Sequence, residues 1–131
     1  MRHGTDMVNF TNNSQVFKLK EVEKNMFDAT VTAFYVNGEE TIACYKAVRD
    51  YIVFTNKRMI VVDVQGLTGK KKEYSIFPYS KLQAFSVETA GIIDIDTDVD
   101  LVFAGLGTVH LEFTLGTDVA KLLRLISAYI L

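Results

Sequence analysis

The chain of 131 residues is long enough for one domain, and at this length roughly two-thirds of the unfolded surface can be buried. A hydrophobic fraction of 49% and a charged fraction of 23% are typical of a globular protein. The formal net charge of −2 argues against a nucleic-acid-binding protein, which normally has a strong basic excess. The single cysteine, Cys44, excludes an internal disulfide, and its apolar neighbours favour a buried thiol.

The N-terminal third predicts an arm followed by a helix. Residues 1–15 are polar and unpatterned, lack the apolar core of a secretion signal, and predict a flexible arm. Residues 16–38 predict a helical segment, because apolar side chains recur at helical spacing until Asn37-Gly38 ends the pattern. The apolar stripe consists of Leu19, Val22, Met26, Ala29 and Ala33. No stretch reaches the ~18 apolar residues of a membrane span, so we expect a cytoplasmic protein.

The remainder, residues 39–131, predicts one β-rich domain closed by a helix. The predicted strands cover residues 40–48, 51–55, 58–64, 70–77, 82–89, 97–104 and 108–115. Thr117 then predicts the N-cap of an amphipathic helix that runs to the end of the sequence, and Asp118 suits the positive first turn of this helix. Seven short strands followed by one helix favour a mainly β, seven-stranded antiparallel barrel or sandwich with a C-terminal capping helix, and not an alternating strand–helix enzyme fold.

Several motifs occur in an order that resembles the bacterial pleckstrin-homology-like proteins, a family long known as a domain of unknown function. The motifs are Phe54-Thr55-Asn56-Lys57-Arg58, Gly66-Leu67-Thr68-Gly69-Lys70-Lys71, Pro78-Tyr79-Ser80-Lys81, Phe85-Ser86-Val87-Glu88-Thr89-Ala90-Gly91 and Asp94-Ile95-Asp96. The resemblance covers roughly residues 20–131 and implies a pleckstrin-homology-like fold with a helix ahead of the barrel. It also implies ring-shaped oligomers, and it supplies no catalytic residues. The longer polar N-terminus and Lys72 depart from the family pattern.

Signals for an enzyme, a metal or a cofactor are weak, and we expect none of the three. The only histidines are His3 and His110, without partners at a spacing suited to a metal or a nucleophile. The segment 66–71 has two residues between its glycines where a phosphate loop requires four, and a predicted strand follows it. The alternating acids share one strand face, either as a solvated edge that discourages strand pairing or as an adventitious cation site. They are Asp94, Asp96, Asp98 and Asp100.

Basic residues converge on one rim of the predicted sheet, because the connections 48–50 and 65–69 lie at the same end of adjacent antiparallel strands. This candidate anion or lipid rim consists of Lys46, Arg49, Lys70, Lys71 and Lys72. Its alternative interpretation is a solvated rim, since Asp50 opposes the charge and consecutive lysines alternate between strand faces. A membrane surface is therefore the less favoured partner.

Two strands are apolar on both faces, although a barrel buries only its inner face. These strands, 51–54 and 59–62, need a cover on the outside, which the leading helix supplies either within its own chain or to a neighbour. We therefore expect a non-enzymatic binding or scaffold module that forms a homo-oligomer, with an unidentified protein as a further partner. The candidate interface residues are Met26, Phe27, Val31, Phe34 and Tyr35.

Overall fold

The computed structural model describes residues 14–25, 29–89, 97–114 and 117–131. The strands are β1 Ser14–Val22, β2 Thr41–Lys46, β3 Tyr51–Thr55, β4 Arg58–Gln65, β5 Lys71–Pro78, β6 Leu82–Thr89, β7 Thr97–Phe103 and β8 Gly107–Phe113. The helices are α1 Ala29–Ala33 and α2 Val119–Ile130, and a 3-10 turn spans Tyr79–Lys81. The seven strands from β2 onward lie where the sequence predicts them, within two residues at either end. Turn residues and alternating hydrophobicity therefore determine these elements locally.

The strands form one curled sheet in the order β5-β4-β3-β2-β1-β8-β7-β6. Neighbours are antiparallel except β1 and β8, which are parallel. In the part of the chain that is described, β5 and β6 end the sheet and do not pair with each other. The architecture is therefore an open, sandwich-like sheet, which decides between the two predicted alternatives.

Strand β1 joins the two halves of the sheet, so the predicted helical segment 16–38 is wrong for residues 16–22. Ser14 and Gln15, the last two residues of the predicted flexible arm, also belong to β1, and the rest of that arm lies outside the described residues. Residues up to Leu19 pair with β8, whereas Lys20–Val22 pair with β2. The strand bends at Lys18, whose φ of 59° lies in the left-handed region that non-glycine residues rarely adopt. Because pairing on both sides satisfies the backbone, tertiary context overrides the helical spacing of the apolar residues. The sheet thus begins ahead of the predicted domain boundary at residue 39.

The inner face of the sheet encloses the main core, and α2 closes it. Val119, Leu122 and Ile126 of α2 are buried against apolar side chains from both halves of the sheet. The Asp118 side chain accepts a hydrogen bond from Lys121 N and caps the helix, so the cap lies one residue after the predicted Thr117. Tyr129 contacts the ring of Tyr79, with ring centroids 5.0 Å apart. The predicted capping helix is confirmed, although Leu131 at its end is fully exposed.

A second apolar cluster covers the outer face of β2–β5. The Cys44 thiol and Val53 are completely buried there, together with side chains of β4. Val31 of α1 is also completely buried in this cluster, and Tyr35 packs at its margin. The outer apolar surface predicted from the sequence therefore exists, and residues of the same chain contribute to its cover. Burial raises the pKa of Cys44 to about 12, which leaves the thiol protonated and unreactive.

Candidate functional site

The predicted basic rim forms where the β2–β3 turn meets the β4–β5 loop. The guanidinium group of Arg49 donates a hydrogen bond to the carbonyl oxygen of Gly66, which joins the two connections. Ala47 N donates to Asp50 O at 2.8 Å and closes the first turn. Gly66 and Gly69 both have positive φ values, 78° and 70°, so the second loop requires the freedom of glycine. The two connections lie together, as the antiparallel topology predicts.

The lysines of this rim divide between the two faces of the sheet. Lys71 shares the side of Phe77, which belongs to the inner core, whereas Lys72 shares the side of Ile76 in the outer cluster. The side chains of Lys46, Lys70 and Lys71 are exposed, and that of Lys72 is half-buried. Lys71 and Lys72 therefore do not share one face of the rim, as the alternation of consecutive strand residues predicts.

Two carboxyl groups lie beneath the rim. Val64 N donates to Asp50 Oδ1 at 2.6 Å, and the Gln65 side-chain amide donates to Asp63 Oδ2 at 3.1 Å. Burial raises the pKa of the Asp50 carboxyl group, the Val64 N–H offsets part of the rise, and the neighbouring Asp63 carboxyl adds to it. Asp63 is only 4% exposed, so its carboxyl group lies inside the rim, next to that of Asp50. The sequence indicates the opposing Asp50 but not this pair.

The predicted oligomer-interface residues differ widely in exposure. Val31 is completely buried by its own chain and is removed from the candidates. Tyr35 is half-buried, and its hydroxyl group shares a hydrogen bond of 2.6 Å with that of Thr41. Phe34 is 40% exposed and packs edge-on against Tyr74. The other two candidates, Met26 and Phe27, lie outside the described residues.

An ion pair that sequence reasoning missed fixes this segment to the β3–β4 hairpin. Arg58 Nε and Nη2 donate to the two carboxylate oxygens of Glu39, each at 2.8 Å, and Thr55 Oγ1 donates at 2.6 Å. Arg58 Nη2 also donates to the Phe34 carbonyl oxygen at 2.6 Å. Burial alone would raise the pKa of Glu39, but the bonds from Arg58 and Thr55 outweigh burial and hold the pKa below its usual value. An arginine directly after the tight link Asn56-Lys57 was the available signal.

The acidic run and His110 meet on the outer face of β7 and β8. His110 Nδ1 lies 2.6 Å from Asp100 Oδ1, and His110 Nε2 lies 3.7 Å from Asp98 Oδ1. The predicted shared face is thus formed by these two acids, whereas Asp94 and Asp96 lie outside the described residues. His110 is paired and not simply solvated, because the register sets it opposite Asp100. In the described ranges, no three or more His, Cys, Asp or Glu side chains are arranged to hold a metal ion.

A curled sheet with two neighbouring connections at one rim, and an amphipathic helix over its core, together define a pleckstrin-homology-like fold. The sequence pattern of the bacterial PH domain family matches residues 6–130. The chain belongs to this family. The match includes the residues of β1, which agrees with the position of this strand inside the sheet.

Relatives and solved structures support the assignment. Uncharacterized protein YjqA of Bacillus subtilis (strain 168) is 41% identical over 95 residues, which cover 71% of this chain and 76% of that protein. YozO of the same organism is 34% identical over 98 residues, covering 75% and 84%. A DUF1696 family protein with a pleckstrin-homology domain from Shewanella loihica PV-4 has a TM-score of 0.76 at 34% identity, covering 88% of this chain and all of that one. The pleckstrin homology domain from Shewanella amazonensis SB2B has a TM-score of 0.65 at 39% identity, covering 86% and 91%.

No helix among the described residues is long and apolar enough to span a bilayer.

Proposed function

We propose that this chain is a non-enzymatic pleckstrin-homology-like binding module that works as a homo-oligomer with closed ring symmetry. The observation that supports self-association is the apolar surface left beside the α1 segment. Phe34 is 40% exposed and Val36 is 55% exposed, although Val31 in the same segment is completely buried in the outer cluster. Phe34 contacts Tyr74 with ring centroids 5.1 Å apart, so the exposed ring is held in a fixed position.

The size of this surface suits an anchor within a larger interface. Burying the exposed parts of Phe34 and Val36 would remove on the order of 150 Å2 of apolar surface, or ~4 kcal/mol at ~25 cal/mol per Å2. A standard interface buries about 800 Å2 per partner, so the patch forms only part of it. Closed cyclic symmetry is the usual arrangement of identical subunits that associate through such a surface.

Sedimentation velocity on the purified chain tests self-association. We expect one species well above the monomer mass of 14.7 kDa at micromolar concentration. Phe34→Glu and Val36→Glu should each shift the protein toward the monomer, because a charge would be buried in the interface. Leu67→Glu is the matched control, since Leu67 is fully exposed in the β4–β5 loop. A wild-type protein that sediments as a monomer would refute the proposal.

The second candidate function is binding of an anionic lipid surface by the basic rim. The contact between Arg49 and Gly66 favours it, because it holds the two basic connections side by side. The half-buried Asp50 and the buried Asp63 oppose it, since two acidic side chains lie among the basic residues of the rim. This function therefore ranks below self-association.

Co-sedimentation with phosphatidylserine vesicles distinguishes this candidate. The double variant Lys70→Glu/Lys71→Glu should abolish salt-sensitive binding if the rim is used. Lys57→Glu is the control, because Lys57 lies in the β3–β4 hairpin at the opposite end of these strands. Equal binding by both variants, or no binding by the wild type, would remove lipid binding as a function.

A further inference from the structure

Strand β6 has one paired edge and one open edge. It pairs with β7 from Leu82 to Thr89, and no strand in the described part of the chain pairs with its other side. Alternate backbone N–H and C=O groups of an end strand point away from the sheet and can accept another strand. The open edge of β6 is therefore a template for strand addition.

The two end strands of the sheet differ in how their edges are protected. β5 starts within the lysine run 70–72 and ends at Pro78, and both features discourage pairing with a further strand. β6 contains no lysine, arginine or proline, and its only charged residue is Glu88. Among the described residues, the β5 end of the sheet is thus protected against strand addition, whereas the β6 end is open.

Phe85 and Val87 form an apolar ledge on the inner side of the β6 edge. Phe85 and Val87 stand opposite Leu101 and Val99, which are both buried in the core. Phe85 is half-buried against this core, but Val87 remains 40% exposed because nothing described lies beyond it. A strand added at the edge would bring its inward side chains onto this ledge, at a strand spacing of about 5 Å.

The outer side of the same edge is acidic. Glu88 stands opposite Asp98, which in turn stands opposite Glu112, so three acids cross three strands in one row. Asp100 lies in the next outward row, where it pairs with His110. The basic residue nearest in sequence, Lys81, precedes the strand and lies at its other end. Outward side chains of an added strand would therefore meet negative charge near Glu88.

From this arrangement we infer that the open edge of β6 binds an extended peptide segment of a partner protein in which apolar and basic residues alternate. Main-chain pairing with β6 supplies the affinity, the ledge of Phe85 and Val87 takes the apolar side chains, and the acidic row takes the basic ones. The inference rests on the proposed role as a binding module but does not require self-association.

Fluorescence anisotropy with a labelled ten-residue peptide of alternating valine and lysine tests the inference. We expect saturable binding that weakens as salt rises, because the charge complementarity is at the surface. A peptide alternating valine and glutamate should bind at least tenfold more weakly. A valine–lysine peptide with two central prolines should also lose at least tenfold, since it cannot pair with an edge. No binding by the first peptide, or equal binding by all three, would overturn the inference.

The variant Val87→Lys locates the binding site, because an inward-pointing lysine blocks an edge strand. It should weaken binding of the valine–lysine peptide at least tenfold, whereas Val48→Lys should change it less than twofold. Val48 is 81% exposed in the β2–β3 turn and provides the same substitution at a distant site. Far-UV circular dichroism of both variants verifies folding. Bound peptide should also slow amide hydrogen exchange in residues 82–89, and unchanged exchange there would place the peptide elsewhere and refute the inference.

Sedimentation velocity on the same proteins separates this inference from the proposed homo-oligomer. A Val87→Lys variant that keeps the wild-type mass but loses peptide binding supports the inference. If Val87→Lys instead dissociates the oligomer, and the wild type does not bind the peptide, a second copy occupies the edge and the inference is wrong. A monomeric wild type that still binds the peptide would refute self-association alone.

Discussion

The variant Glu39→Gln should destabilise the fold through the ion pair with Arg58. The Glu39 side chain is 0% exposed and the Arg58 side chain 17% exposed, so neither charge is well hydrated once its partner is removed. Glutamine keeps the volume and one acceptor but leaves the guanidinium group partly buried without an opposite charge. Breaking a fully buried pair costs ~3–5 kcal/mol, and the partial exposure of Arg58 reduces the expected loss to about 2–3 kcal/mol.

Urea unfolding followed by far-UV circular dichroism measures this loss. The neighbouring variant Glu40→Gln is the matched control, because the Glu40 side chain is exposed and should change stability by less than about 0.5 kcal/mol. The m-value should stay constant in both variants, since the substitutions do not alter the surface exposed on unfolding. If Glu39→Gln costs no more than Glu40→Gln, the ion pair does not hold the α1 segment against the sheet.

The stability loss caused by Glu39→Gln should also depend on pH, and it should be smaller in acid. The folded pKa of Glu39 lies below its unfolded value, so the unfolded chain takes up a proton first on acidification. Its contribution is therefore fully present above the unfolded pKa and is lost as the pH falls through the folded pKa. The difference between wild type and Glu39→Gln should shrink in acid, and a difference that grows in acid would contradict the lowered pKa.

Three further substitutions test separate features. Asp50→Asn should raise the urea midpoint more at pH 8 than at pH 4. The folded pKa of Asp50 is raised, so the contribution of this residue to stability falls as the pH rises through that pKa. An equal change of the midpoint at both pH values would refute the raised pKa. Ile126→Ala should cost about 2–5 kcal/mol in urea unfolding, since Ile126 of α2 is completely buried against the sheet, and a loss below ~1 kcal/mol would contradict the capping role of the helix. Lys18→Gly should stabilise the protein by roughly 0.5–1 kcal/mol because it relieves a left-handed φ. Lys20→Gly within the same strand should destabilise the protein. A change in unfolding free energy of the same sign for both variants would refute strain at Lys18.

The strands from β2 to β8 could be predicted because their signals are local. Asn56-Lys57 and Gly105-Leu106-Gly107 mark turns, and the strand after the second turn alternates apolar and polar residues. Two-sided hydrophobicity in β3 and β4 likewise indicates a second apolar layer, and the outer cluster confirms it. Short-range backbone chemistry and side-chain alternation carry this information without reference to distant residues.

The pairing of β1 could not be predicted, because its partners lie far away in the sequence. Val16 and Leu19 are buried and pair with Leu111 and Phe113, which follow them by 95 and 94 positions, and their spacing fits a helix equally well. The Glu39–Arg58 ion pair and the open edge of β6 could not be predicted from the sequence pattern for the same reason. Each depends on which strands become neighbours, which a one-dimensional pattern does not contain.

The sequence by itself determined the number and limits of seven strands, the amphipathic helix that closes the core and the family to which the chain belongs. The tertiary structure decided that the sheet stays open, that β1 bridges its halves, and that Val31 is core while Phe34 is surface. The physical reason is that hydrophobic periodicity says which side chains must be buried, whereas only chain packing decides what buries them.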